Sequence, residues 1–193
     1  MAEQHLIGVL SDTHIPHRLK QMPQRVYDLL QGCDIILHAG DLEDTLILDQ
    51  LRQIAPVYAV RGNVHWQSSM GTHDQDLPSM VTVPIGGHVI FMTHGHINFA
   101  LTMIDKVIHF STQPTLDAVN RSIIMRLARI KPPDADIVIF GHTHKPCAEH
   151  VDGVLYFNPG AVCNTYRPKA EPSIGRLRLT SEGQIKPEWF TLS

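Results

Sequence analysis

The sequence predicts an α/β fold in which two packed mixed β-sheets carry helices on their outer faces, and three observations lead to it. Short apolar runs rich in β-branched residues alternate with helix-period segments through the first third of the chain, the pattern of parallel strands joined by helical crossovers. Two apolar runs then flank Gly86-Gly87, a two-residue turn signal of the hairpin type. Further strand-like runs close the chain, so antiparallel pairing is expected as well.

In chain order, His5–Leu10 (HLIGVL) reads as the first strand. Leu19–Gln31 places Met22, Val26, Leu29 and Leu30 at helical spacing. Asp34–His38 is a second strand, Thr45–Ile54 a second helix and Val57–Val60 a third strand. Val64–Pro78 has no clear period and reads as a loop. Met80–Pro84 and His88–Thr93 form the hairpin, Asp136–Phe140 (DIVIF) is a buried strand, and Val154–Phe157, Ile174–Thr180 and Gln184–Thr191 are antiparallel strands. Between them, Leu116, Val119, Ile123, Leu127 and Ile130 recur at spacings of three and four, an amphipathic helix packed on the core. A lid or a dimer face is the alternative for that helix, which keeps a homo-oligomer among the expectations. A chain of 193 residues fits one large domain, spanning 1–193 with a helical insertion at about 97–134.

Composition narrows the function classes. A formal net charge of −3 gives no general attraction to nucleic acid or to an anionic membrane, so a phosphate-bearing substrate has to be held locally. The amino terminus lacks the basic start and apolar stretch of a secretory signal, and no apolar run approaches the roughly 20 residues that cross a bilayer. Cys33, Cys147 and Cys163 form no C-x-x-C pair, which argues against a disulfide framework. A soluble, cytoplasmic protein is expected. Histidine is over-represented at 13 residues, five of them in D-x-H, H-G-H and H-T-H clusters, and such clustering points to metal or acid–base chemistry.

Five strands are each followed at once by a polar cluster: Ser11-Asp12-Thr13-His14, Gly40-Asp41, Gly62-Asn63, His94-Gly95-His96 and Gly141-His142-Thr143-His144. Sites in open α/β sheets form beyond the carboxyl ends of the strands, so the five clusters can share one site. Carboxylate oxygen and imidazole nitrogen together suit manganese, iron or zinc. Asp12, His14, Asn63, His94, His142 and His144 would supply three ligands to each of two metals, with Asp41 bridging ions roughly 3.5–4 Å apart. Two divalent ions less Asp12, Asp41 and a bridging hydroxide leave one positive charge, which favours an anionic phosphoryl group over a neutral ester.

At these residues the chain resembles the calcineurin-like metallophosphoesterases, whose pattern is D-x-H, G-D, G-N, H and G-H-x-H. The match runs from Asp12 to Asn158-Pro159-Gly160. The form His38-Ala39-Gly40-Asp41 and the late N-P-G turn are similar to the compact prokaryotic phosphodiesterase branch. The resemblance implies a four-layer α/β/β/α sandwich, with Asp12, His14, Asp41 and His144 on one metal and Asp41, Asn63, His94 and His142 on the other. It implies a dinuclear, metal-dependent phosphoesterase: two divalent ions, manganese first, with zinc, iron or nickel as alternatives. A metal-bridging hydroxide would attack a small phosphodiester. A phosphomonoesterase on the same core is the nearest rival. A non-catalytic scaffold, like the retromer subunit of this fold, is another, and a nuclease a third that lacks a basic stripe to support it.

One departure bears on mechanism. Many relatives read G-N-H-D or G-N-H-E, with the histidine placed to protonate the leaving oxygen, whereas this chain has Gly62-Asn63-Val64-His65. His96 takes the vacated role first and His65 second. Asp41, Asn63 and His96 are thus the catalytic set. His38, inside a strand, reads as a buried supporting histidine, Arg61 and Arg167 as phosphate contacts or surface cations, and Cys163 as structural. His5, His17, His73, His88, His109 and His150 are given no role.

Overall fold

The computed structural model describes residues 4–63, 76–95, 115–163, 170–180 and 182–192. In chain order the elements are β1 (His5–Leu10), α1 (Gln24–Leu30), β2 (Ile35–His38), α2 (Leu46–Arg52), β3 (Val57–Ala59), β4 (Met80–Ile85), β5 (His88–Thr93), α3 (Leu116–Ile130), β6 (Ile137–Ile139), β7 (Cys147–Val151), β8 (Val154–Asn158), β9 (Ser173–Leu179) and β10 (Ile185–Thr191). They form two five-stranded sheets, ordered β10-β9-β1-β2-β3 and β4-β5-β6-β8-β7. Each contains three adjacent parallel strands, β1, β2 and β3 at one side of the first sheet and β5, β6 and β8 in the middle of the second, with antiparallel strands completing it. Both sheets are therefore mixed.

The alternation of side chains along each strand builds the layers. Ile7, Val9, Ile35, Leu37, Leu177 and Leu179 of the first sheet meet Ile90, Met92, Ile137, Ile139, Leu155 and Phe157 of the second in one buried core. The opposite faces carry helices. Leu10 and Ile36 pack with Val26, Leu30, Ile47 and Leu51 of α1 and α2, while Phe91, Val138, Phe140 and Tyr156 pack with Ile123, Ile124 and Leu127 of α3. The result is the four-layer α/β/β/α sandwich.

Three details depart from the sequence reading. The first helix begins at Gln24, not Leu19, with Pro23 as its N-cap at φ −60°. Proline inside a helix loses a backbone hydrogen bond and clashes with the preceding turn, so it serves at the start. Strand β7 was not anticipated, because Cys147–Val151 is half-exposed and only partly apolar. It pairs antiparallel with β8 across Asp152-Gly153, both at positive φ (51° and 79°), and the Asp-Gly pair was its available signal. Of the insertion expected at 97–134, residues 97–114 lie outside the described residues. Helix α3 holds its packed position, capped by Thr115, whose hydroxyl accepts from the Ala118 N–H at 3.2 Å.

Candidate metal centre

The parallel pairing of β1 and β2 continues past the ends of both strands. The N–H groups of Asp12, His14 and Ile15 donate to Gly40, Asp41 and Leu42 carbonyls at 2.9, 3.1 and 3.2 Å. The Asp12-Thr13-His14 and Asp41-Leu42-Glu43 loops thus run side by side. Within the second sheet the Gly141 N–H donates to the His94 carbonyl at 3.3 Å, and the Cys163 N–H joins the two sets of loops by donating to the Asp12 carbonyl at 3.2 Å. Two glycines permit this closeness. A Cβ on Gly62 would stand 1.7 Å from Asp41 Oδ1, and one on Gly141 would stand 1.9 Å from Ser11 Oγ.

Asp12, His14, Asp41, Asn63, His94, His142 and His144, the seven side chains singled out as metal ligands, are brought together. Asp12 Oδ1 lies 3.1 Å from His144 Nε2, 3.9 Å from His94 Nε2 and 4.0 Å from His14 Nε2. Asp41 Oδ2 lies 3.2 Å from His94 Nε2 and 3.6 Å from His14 Nε2. Asn63 Oδ1 lies 3.1 Å from His94 Nε2 and 2.9 Å from His142 Nδ1. Of the residues given other roles, Val64, His65, His96 and Arg167 lie outside the described residues.

The donor set fits a cation. Asp12 Oδ1 and His14 Nε2 are buried and make no hydrogen bond among the described residues; in the absence of a metal the protonated His144, 3.1 Å away, supplies the positive charge that Asp12 faces, a place a cation can take. Asp12, His14 and His144 form one group, and Asp12, Asp41 and His94 another, whose donor atoms lie within 4.8 Å of one another. Asp12 thus belongs to both groups, and Asp41 Oδ2 also stands between His14 and His94.

The backbone here is strained. Asp12, His14, Asp41, His142 and His144 all adopt positive φ, between 49° and 73°, a region that costs a non-glycine residue roughly 1–3 kcal/mol. Surrounding contacts hold it. Asn158 Nδ2 donates to the Gly141 carbonyl at 2.9 Å and to Thr143 Oγ1 at 3.1 Å, while its Oδ1 accepts from the Gly160 N–H at 2.9 Å. Thr143 Oγ1 donates to Asn120 Oδ1 at 2.6 Å, which fastens the His142–His144 loop to α3. His94 Nδ1 donates to the Ala39 carbonyl at 2.7 Å, so its Nε2 is the nitrogen turned to the carboxylates.

Charge follows from this packing. Burial opposes ionisation of Asp12, but the cationic His144 and His94 outweigh it and hold its carboxyl well below the usual range. Asp41 is held down in the same way, burial being overcome chiefly by His94. Burial also works against the histidine cations, yet Asp41 and Asp12 push His94 up to about 9, and Asp12 pushes His144 up to about 10. His142 goes the other way, lowered to about 4 by burial and by His94. His38 is lowered to about 3 by burial. It accepts from the Gly40 N–H at Nδ1 (3.3 Å) and meets Thr13 Oγ1 at Nε2 (3.3 Å), a supporting histidine and not a donor to the centre.

The sequence pattern of the calcineurin-like phosphoesterase superfamily domain matches residues 6–182. The chain belongs to the calcineurin-like phosphoesterase superfamily. Among superfamily proteins it is 32% identical over 178 residues to a probable metallophosphoesterase of Methanothermobacter thermautotrophicus, covering 92% of this chain and 87% of that one. It is 26% identical over 168 residues to a phosphodiesterase of Methanocaldococcus jannaschii, covering 81% of this chain and 84% of the relative. The structure of vacuolar protein sorting 29 from Cryptosporidium parvum superposes with a TM-score of 0.68 at 23% identity, covering 97% of this chain and 98% of the other. Two contacts of this calcineurin-like site were not read from the sequence. Cys163, read as structural, has its thiol beside His144 and 3.8 Å from Arg18 Nη1. His17, given no role, meets Glu43. A carboxylate two residues beyond Asp41 was the available signal.

Proposed function

We propose that the chain, as a single domain, is a metal-dependent phosphodiesterase in which Asp12, His14, Asp41 and His144 hold one divalent ion and Asp41, Asn63, His94 and His142 a second. The observation that carries this reading is the convergence of Asp12 Oδ1 and His14 Nε2, both buried and without a hydrogen bond, with His144, Asp41 and His94, whose donor atoms fall into two groups within 4.8 Å and are of the type that divalent transition metals take. Two such ions, when bound, lower the pKa of water toward neutrality and offset charge on a phosphoryl group. The chain's own work is orientation. The Asn63 N–H fixes Asp41 through Oδ1 at 2.8 Å, the His142 N–H fixes Asp12 through Oδ2 at 3.1 Å, and the Ala39 carbonyl fixes His94. His96 is proposed to protonate the leaving oxygen.

Diester preference is supported by the phosphodiesterase among the relatives, and small substrates by the net charge of −3. Manganese is the first choice of metal. No helix among the described residues is long and apolar enough to cross a membrane, and a cytoplasmic location is proposed. The test is to strip the protein with chelator, reload it with manganese, zinc, iron, nickel or magnesium, and assay diesters, monoesters and nucleotides. Manganese-dependent diester hydrolysis is expected. Tight metal binding with no turnover of any ester would return the scaffold reading, and monoester turnover alone would make it a phosphatase.

A further inference from the structure

Glu43 repeats the conformation of the ligand loops. It stands two residues beyond Asp41 at φ 76°, as His14 stands two beyond Asp12 and His144 two beyond His142, all at positive φ. It is only 5% exposed, and both its oxygens are engaged. Oε1 lies 2.8 Å from His14 Nδ1, and Oε2 meets His17 Nδ1. The side chain of His17 is 47% exposed, that of His14 only 4%. The ladder between the loops, which pairs Ile15 with Glu43 in parallel, brings these side chains together.

We propose that Glu43 is a positioning residue that fixes the tautomer and ring orientation of His14, so that His14 Nε2 faces the centre as a lone pair. An ionised carboxylate only accepts hydrogen bonds, so a proton sits on His14 Nδ1, and in the neutral tautomer, the form a metal takes, Nε2 is then the lone-pair nitrogen. The same nitrogen is buried and makes no hydrogen bond, and it stands 3.6 Å from Asp41 Oδ2. Carboxylates behind a ligating histidine set its orientation and basicity in this way. The inference rests on His14 being a metal ligand, as in the proposed function. It adds that one site depends on Glu43 and the other does not, because His94 takes its orientation from the Ala39 carbonyl. His17 meets the other Glu43 oxygen and is an outer contact, not part of the device.

The test reads tautomers and metal, not turnover. Long-range proton–nitrogen spectra of 15N-labelled, chelator-treated wild type should show His14 as the Nδ1–H form, and an Nε2–H form would overturn the proposal without any variant. Glu43→Met keeps the bulk and removes the acceptor. It should weaken one of two bound Mn ions by about ten- to a hundred-fold, the other staying near wild type, with His14 losing its Nδ1–H preference. Glu43→Gln, which can still accept through its amide oxygen, should recover part of the loss. His17→Ala should change metal affinity little. Unchanged affinity and tautomer in Glu43→Met, or an equal loss in His17→Ala, would overturn the proposal, the latter because Glu43 would then be a loop anchor. A wild type that binds metal through His14 and hydrolyses nothing ends the proposed function and leaves this one intact.

Discussion

Asp12 and Asp41 are held in matching fashion, each by a backbone N–H from the loop of another strand. The His142 N–H donates to Asp12 Oδ2 at 3.1 Å and the Asn63 N–H to Asp41 Oδ1 at 2.8 Å. Each carboxylate keeps its second oxygen for the histidines, and each stands between histidines from both sheets.

If Asp41 bridges two ions, Asp41→Asn keeps the fold and weakens both sites together, whereas Asp12→Asn weakens chiefly the site shared with His14 and His144. Circular dichroism would check the fold and elemental analysis of the metal-loaded proteins the stoichiometry. The opposite pattern, with both ions lost only from Asp12→Asn, would move the bridge to Asp12.

Metal uptake should release protons. With His94 raised to about 9 and His144 to about 10, both are protonated at neutral pH, and a metal takes only the lone-pair form. About two protons should leave at pH 7, read by calorimetry in buffers of different ionisation heat. The linked stability has a definite sign. A folded pKa raised above the ordinary 6.5 stabilises fully below pH 6.5 and loses that contribution as pH rises through 9 to 10. Chelator-treated protein should therefore lose thermal stability from pH 6.5 to 10. Buffer-independent heats and a flat profile would exclude these protonated histidines.

Gly62→Ala tests the close approach behind Asp41. The new Cβ would fall 2.3 Å from the Asp41 backbone nitrogen, which no side-chain rotation relieves. A loss of about 1–3 kcal/mol is expected, with reduced metal content. Thermal denaturation and metal analysis would read both, and wild-type values in each would refute the contact.

His96→Ala should harm turnover of alkyl or nucleoside esters far more than of nitrophenyl esters, because general acid catalysis, typically worth about a hundred- to ten-thousand-fold, matters most for basic leaving groups. Metal content has to stay at the wild-type level for the comparison to hold. Equal losses on both substrate classes would make His96 a binding residue, and no loss would pass the test to His65→Ala.

A small diester should show a Michaelis constant that barely changes between low and moderate salt. Contacts to several phosphates of a long polyanion make affinity fall steeply with salt, and the net charge of −3 gives little such attraction. Tight, salt-sensitive binding to DNA or RNA would contradict this.

The strands other than β7, and the five clusters, were legible because both signals are local. A run such as Ile35-Ile36-Leu37 declares a buried strand, and glycine with aspartate or histidine at its end declares a loop built to approach something. Glu43 was not legible. Its partner His14 lies 29 residues away in sequence and meets it only through the register of β1 against β2. The start of α1 was misread because Leu19 and Met22 do join the buried cluster, but from turns ahead of Pro23, so apolar spacing counted residues that are packed without being helical. Asn120 was invisible for a related reason: on an amphipathic helix an asparagine reads as solvent-facing, yet it is 1% exposed and bonded to Thr143.

The left-handed residues set durability against purpose. Glycine would occupy positions 12, 14, 41, 142 and 144 with less backbone cost than the aspartates and histidines found there. A variant such as His142→Gly, treated with chelator, should recover in relieved backbone strain part of what it loses with the Asn63 contact at 2.9 Å, while losing metal. Substitutions that relax this backbone would dismantle the centre first, so the stability of the sandwich gives no reason for these residue types at these positions.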